Sequence, residues 1–505
     1  MYNAMHSIDI GIWEYPVLIL YMVFVGVIYS REKNLNIKIH PEYKYYLWGL
    51  YTKILGSFFF SMIYVYYYGN GDTVSFFRSA LPLADLALID PAKYLQALFA
   101  ENSIENYYHF FNSDTGYPLG YVYVDTRSYM LVRIISPLVL LSFKSFLLSA
   151  AFVSTFAFGG VWRLYRTLVR YYPRLQWQLA ISVIFFPSSV FWGSGIMKDT
   201  FTFTALAWYI HGMDRIFFLK QERRSAWVIV LLATFIMITM KPYIFMMIFP
   251  ASLLWILYHR VAKLRNLLIR LVFLPLAFTL FGILSYYTLI SLGDRLSKFS
   301  LDKALETIVI AQEDLKRSAQ YGENYFDLGD IEPTWTSVLS KFPQASFAGL
   351  FRPSILEANN VVMVLAALEN TWILLFFVYI LIKTRLVHFI SLLRSNPLLQ
   401  MCYLFSIGYA FMIGVTTPNF GAMVRFKIPL LPFFISAMFI TAYILNRRAE
   451  TLRKGGRFSF ERFADGDPDR AREGSEIKAR IGASKQVARL RSPGSGKAGT
   501  IVQFG

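Results

Sequence analysis

Residues 185–209 read FFPSSVFWGSGIMKDTFTFTALAWY. The run is almost wholly apolar, yet Gly193, Ser194, Gly195, Lys198 and Asp199 stand in its middle. A plain spanning helix would continue with Leu and Val at those positions. The stretch therefore reads as two short helices that reverse at a membrane surface, with Lys198 and Asp199 at the start of the returning one. A helix N-terminus there adds its partial positive charge to that of Lys198, which suits an anionic ligand.

The rest of the chain puts that turn in a membrane. Of 505 residues, 56% are hydrophobic and 16% charged, with mean hydropathy +0.44; soluble domains carry roughly 25% charged residues. Apolar stretches at 17–30, 47–68, 145–165, 271–292, 361–382 and 428–445 approach or reach the roughly 20 residues that cross a bilayer core. Lys and Arg are retained at cytoplasmic helix ends. Basic clusters at 31–38, 163–174, 220–224, 260–270, 383–394 and from Arg447 onward mark those ends. Between consecutive clusters lie two apolar segments, which predicts about eleven transmembrane helices, N-terminus outside and C-terminus cytoplasmic. No positive charge precedes the first apolar run and no small-residue cleavage site follows it, so a signal peptide is not expected.

The expected architecture is an all-α polytopic integral membrane protein. A transmembrane domain covers residues 1–446, with two large outer loops at 69–128 and 293–356, and a disordered basic cytoplasmic tail covers 447–505. The tail holds 14 Lys and Arg against 7 Asp and Glu, a composition that contacts anionic lipid. Nucleic acid is not the expected partner. The single Cys402 excludes an intrachain disulfide, and the six His show no metal-ligand spacing. GSGK at 494–497 lacks the spacing of a phosphate-binding loop, and no nucleotide fingerprint is present. No cofactor is evident; a divalent metal is left open but not indicated.

What remains is polar chemistry on the outer side. Asp72 follows the turn Gly69-Asn70-Gly71, and the outer connections also carry Lys198, Lys241 (in MKPY), Arg352 and Glu357 (in FRPSILEANN), and Arg425 and Lys427 (in NFGAMVRFKIPLLP). Outer connections should be poor in Lys and Arg. Snorkelling, or pairing with an acid such as Asp199 or Glu357, accounts for any one of these cations. A shared anionic ligand accounts for all of them on one side, and pyrophosphate on a polyprenyl carrier is such a ligand. Asp199, Glu357 and the five cations thus form the expected substrate- and phosphate-binding set.

Sugar transfer from a phosphate carrier needs a carboxylate base and a cationic clamp. Asp72 is the expected base, among Asp85, Asp90, Asp114 and Asp125 of the same segment and Glu357 and Glu369 further on. Aromatic and amphipathic stretches within 69–128 are expected along the interface. Trp335 is a sugar platform or an interface anchor.

On GDTVSFF, FPSSVFWGSGIMKD, MKPY, LFRPSILEANN, ALEN and NFGAMVRFKIPLLPFF, across roughly residues 45–435, the chain resembles uncharacterised bacterial multispanning proteins of surface-polysaccharide synthesis. More broadly its plan resembles GT-C-type glycosyltransferases and O-antigen polymerases. The resemblance implies a glycosyltransferase or polysaccharide polymerase in the bacterial inner membrane. It would use a polyprenyl-phosphate-linked sugar and a glycan acceptor on the non-cytoplasmic face, with Asp72 at the acidic loop position. The paired Asp-Glu common in that loop is absent here. A transporter or flippase for lipid-linked glycan, or a scaffold of a surface-assembly complex, is the alternative. A transporter should place cations at mid-depth and on both faces.

Overall fold

The computed structural model describes residues 8–262, 305, 309–310 and 325–469. Among these no strand forms; one isolated bridge joins Tyr325 to Asn419. The apolar stretch 271–292 and the tail from 470 onward lie outside the described residues, as does most of 293–324.

Five helices are long and apolar enough to cross a bilayer: α1 (Glu14–Asn36), α8 (Phe146–Tyr171), α12 (Arg223–Met240), the Val361–Thr384 part of α16 (Val361–Ser395), and α17 (Pro397–Thr416). A sixth is the pair α18 (Phe420–Phe426) and α19 (Leu431–Arg453), bent by 65°. Exposed Ile19, Leu20, Val23, Phe24 and Val27 on α1, and Leu231, Leu232 and Phe235 on α12, suit a hydrocarbon surround. The remaining apolar runs make shorter or interrupted helices. α2 (Tyr46–Met62) has 17 residues and contains Lys53. The stretch before the quoted turn breaks into α9 (Gln176–Ala180), a π-turn and α10 (Pro187–Trp192), because Pro187 cannot donate to the preceding turn. α11 (Lys198–Asp214) then runs back, and α13 (Pro242–Ala262) follows α12 directly.

α8 is the centre of one face of the bundle. Phe158, Leu164, Tyr165 and Leu168 are wholly enclosed, packed against α2 and α11. α12 covers α11, and α13 joins α17, which packs in turn on α19. Between apolar helices in lipid, association comes from close packing of small residues. The tightest case is α15 (Phe342–Phe351) on α17. A Cβ at Gly349 would overlap the Ala410 carbonyl, and one at Gly414 would overlap the Ala345 carbonyl. Ala345 and Gly349, four residues apart on α15, thus face Ala410 and Gly414, four apart on α17.

Three expectations need correction. Residues 69–128, expected as one large outer loop, are largely helical. They open with α3 (Asp72–Ile89), whose Val74, Phe76, Phe77, Ala80 and Leu83 are buried as it packs on α7 (Thr126–Leu141). Amphipathic character is confined to the connection, where α4 (Pro91–Phe99) exposes Leu95 and Phe99 and buries Ala97; α5 (Ile104–Phe110) and α6 (Gly120–Val124) follow. The end of 293–356 is likewise packed helix: α14 (Trp335–Ser340), then α15 wedged against α17 by its small residues.

The tail from 447 is not disordered at its start. Arg447–Arg453 complete α19, and the following residues fold back onto the bundle. Phe463 is buried, and its carbonyl accepts from Asn396 at 2.7 Å. The buried Asp467 accepts from the Tyr443 hydroxyl at 2.7 Å, and Asp469 pairs with Arg174 and Arg447 at 2.9 and 2.6 Å. Acidic residues inside a basic tail meet a basic helix end, and that attraction seats the segment.

This seat is near the C-terminal end of α11, where Asp214 pairs with Arg170. The N-terminal end of α11 is Lys198. With 17 residues the helix is ~25 Å long, so the molecule has two polar ends about one bilayer core apart.

Candidate functional site

The polar end at Lys198 contains a cavity of about 790 Å³. Starts and ends of separate helices converge on it. Asp72 opens α3, Asp125 and Arg127 open α7, Lys198 and Asp199 open α11, Lys241 and Tyr243 lie at the α12–α13 junction, and Arg425 comes from α18. The Asp72 position depends on its turn: Gly69 and Gly71 have φ of +70° and +150°, values that side-chain-bearing residues rarely adopt.

The charges form two linked groups. In one, Asp199 is 2% exposed and accepts from Lys241, while Arg425 Nε lies 3.5 Å from its other oxygen. Arg425 also donates to Asp72 Oδ2 at 2.9 Å. In the other, Lys198 donates to the Ser128 hydroxyl at 2.9 Å and lies 3.5 Å from Asp125 Oδ2. Partial burial raises the Asp125 pKa, but the Ser128 hydroxyl and the Lys198 ammonium outweigh it and hold the carboxyl below its ordinary value. Rings back the cations: Lys241 lies 3.9 Å from the Phe426 centroid and Lys198 5.8 Å from that of Phe76.

These groups have different freedoms. The Asp72 side chain is 52% exposed and faces open space. Asp199 is enclosed and holds Lys241 and Arg425. The lining holds four cations (Arg127, Lys198, Lys241, Arg425) against three carboxylates, a net positive cleft before any ligand arrives. Among the described residues, no group of three or more His, Cys, Asp or Glu is placed to hold a metal ion.

Five of the expected site residues, Asp72, Lys198, Asp199, Lys241 and Arg425, thus share one cavity. Arg352, Glu357 and Lys427 do not line it. Arg352 and Glu357 pair with each other, with Arg352 beside the stacked rings of Phe326 and Phe420, while Glu357 closes a capping box on Ser354. Glu357 keeps a depressed pKa: burial raises it, but the hydrogen bonds from Arg352 and Ser354 prevail. Lys427 is buried and donates to Arg352 O at 2.9 Å, Leu350 O at 3.4 Å and Asn370 Oδ1 at 2.8 Å. It secures the end of α15, where helix carbonyls lack helical partners. Trp335 is half exposed and also lies off the cavity lining.

Sequence reasoning named Asp125 only among the other acids of its segment and did not select Arg127, Tyr121 or Tyr243 for the site. The Asp125-Thr126-Arg127 run was the available signal, since it caps a helix: Asp125 accepts from the Arg127 N–H at 3.2 Å.

Comparison of the chain with family models, with curated proteins and with solved structures gives no match.

Proposed function

We propose that the protein is a membrane glycosyltransferase or polysaccharide polymerase of GT-C-like plan, embedded by about eleven spans in a bacterial inner membrane. In this reading the N-terminus and the cavity are outside and the C-terminus is cytoplasmic. The donor is a sugar on a polyprenyl phosphate, and the acceptor is a glycan hydroxyl.

One observation carries the reading: a half-exposed carboxylate, Asp72, shares an open cavity with four cations drawn from helix ends. An incoming phosphate competes with Asp72 for Arg425 and frees the carboxylate. Asp72 then accepts the acceptor hydroxyl proton as its oxygen bonds to the anomeric carbon. The bond from that carbon to the phosphate oxygen breaks, and the departing phosphate keeps the electron pair. Arg425, Lys241, Lys198 and Arg127 stabilise the charge that develops there.

The test is the lipid-linked and surface glycan profile of cells carrying Asp72→Asn, Lys198→Ala or Arg425→Ala at normal protein levels. Accumulation of an unextended carrier lipid, with elongation by the purified wild-type protein in the absence of nucleotide, supports transfer. Unchanged glycans reject it in favour of a scaffold. Completed lipid-linked glycan trapped on the cytoplasmic leaflet assigns transport instead.

A further inference from the structure

The six-residue helix α10 lies between the broken span and the turn that leads to the cavity. Pro187 at its start is exposed, but Ser188, Trp192 and Gly193 are enclosed, so the backbone groups there need partners from elsewhere. Glu369 of α16 reaches in and accepts the Ser188 N–H at 3.0 Å. At the other end Lys53 of α2, wholly buried, donates to Ser189 O at 3.2 Å and to Gly193 O. Neither side chain lines the polar cavity. The segment they hold continues within a few residues into Met197 and Lys198, both on the cavity wall.

An ionisable group at membrane depth is costly. Two of them, an acid and a base, at the two ends of one short helix imply that the placement of this helix matters. Orphan carbonyls at other helix ends are met more simply: Ser142 and Ser395 donate their hydroxyls to Val139 O and Leu392 O in the last turns of α7 and α16. We propose that Lys53 and Glu369 are positioning residues: they clamp α10 from two neighbouring helices and so fix where the Gly193–Met197 turn sets Met197 and Lys198 against the cavity. The effect on turnover rests on the transferase reading above; the effect on the turn does not.

Cys402 is the single cysteine, buried in α17, so Met197→Cys provides a reporter at the turn with a built-in control. The purified full chain is treated with a maleimide, and modification at 197 and at 402 is followed by peptide mass spectrometry. Met197 is enclosed, so labelling at 197 is slow with the clamp intact. In Lys53→Met and in Glu369→Leu it rises at least about tenfold, the scale set by losing a hydrogen bond to a charged group, while Cys402 stays unreactive. Glu369→Gln keeps an acceptor for the Ser188 N–H and labels at the parental rate.

An unchanged rate at 197 in Glu369→Leu overturns the proposal, and so does a parallel rise at Cys402, which marks general loosening. If Lys53→Met does not accumulate, the two Glu369 variants decide alone. If labelling shifts as expected but glycan transfer in the same variants does not fall, the clamp stands and the transferase reading of the cavity fails.

Discussion

Lysines in the cavity and lysines in the bundle interior face the same difficulty, a charge in apolar surroundings, and solve it differently. Lys198 and Lys241 are paired with carboxylates on a cavity wall. Lys53 and Lys427 are satisfied chiefly by backbone carbonyls at the ends of short helices, with only the Asn370 side chain added at Lys427. A half-exposed carboxylate partner, such as Asp125 at Lys198, can be exchanged for a ligand anion at little cost in fold. A carbonyl partner cannot be, because the chain itself would be left unsatisfied. Partner type thus separates a cation available for binding from one that holds the structure.

The sharpest way to break this contrast is at the cavity, on the transferase reading proposed above. Asp72→Asn should lower transfer by about 10²–10⁴, the usual contribution of a positioned base, with the thermal midpoint in detergent nearly unchanged. Asp125→Asn at equal abundance identifies the base: a larger loss there than in Asp72→Asn moves the assignment to Asp125. At the structural pole, Lys427→Met should cost about 3 kcal/mol or more by stranding the Leu350 and Arg352 carbonyls and Asn370. Lower yield and an earlier melting transition would report it, whereas Lys198→Ala should leave both near the parental values. Gly414→Leu tests packing without charge, and overfilling that crossing should cost about 1–3 kcal/mol on the same melting assay. Glu357→Gln should change stability by about 1 kcal/mol or less and leave glycans unaltered; a glycan defect would return Arg352 and Glu357 to the binding set.

Acid titration sharpens the comparison further. The folded pKa of Asp125 is lowered, so its stabilising contribution is complete above the unfolded value of about 3.9 and is lost as pH falls through the lower folded value. An Asp125→Asn variant should therefore show a shallower loss of stability below pH 4 than the parent.

The sequence made the long apolar helices legible, because α1, α8, α16 and α17 differ from water-soluble segments at almost every position. It made Lys198, Lys241 and Arg425 legible for the converse reason, and Asp72 through the glycines around its turn. It misplaced α3 and α15, since a helix buried among other helices and one lying along an interface share the same mixture of apolar and small residues. Arg352 and Glu357 were grouped with the cavity because their pairing is local and leaves no trace in one-dimensional charge placement. Lys53 went unread: its acceptors, Ser189 and Gly193, are backbone groups far along the chain, and no pattern of residue types encodes a carbonyl. The start of the tail was misread because composition averages over 59 residues concealed the few acids that dock.

The crossing of α15 and α17 has a mechanical consequence. Where Gly349 meets Ala410 and Gly414 meets Ala345, main chain rests on main chain, and no rotatable side chain lies between to take up a displacement. The two helices therefore travel as a single rigid body. Any rearrangement of the bundle must turn about joints outside this block, such as the 65° bend between α18 and α19 next to Arg425.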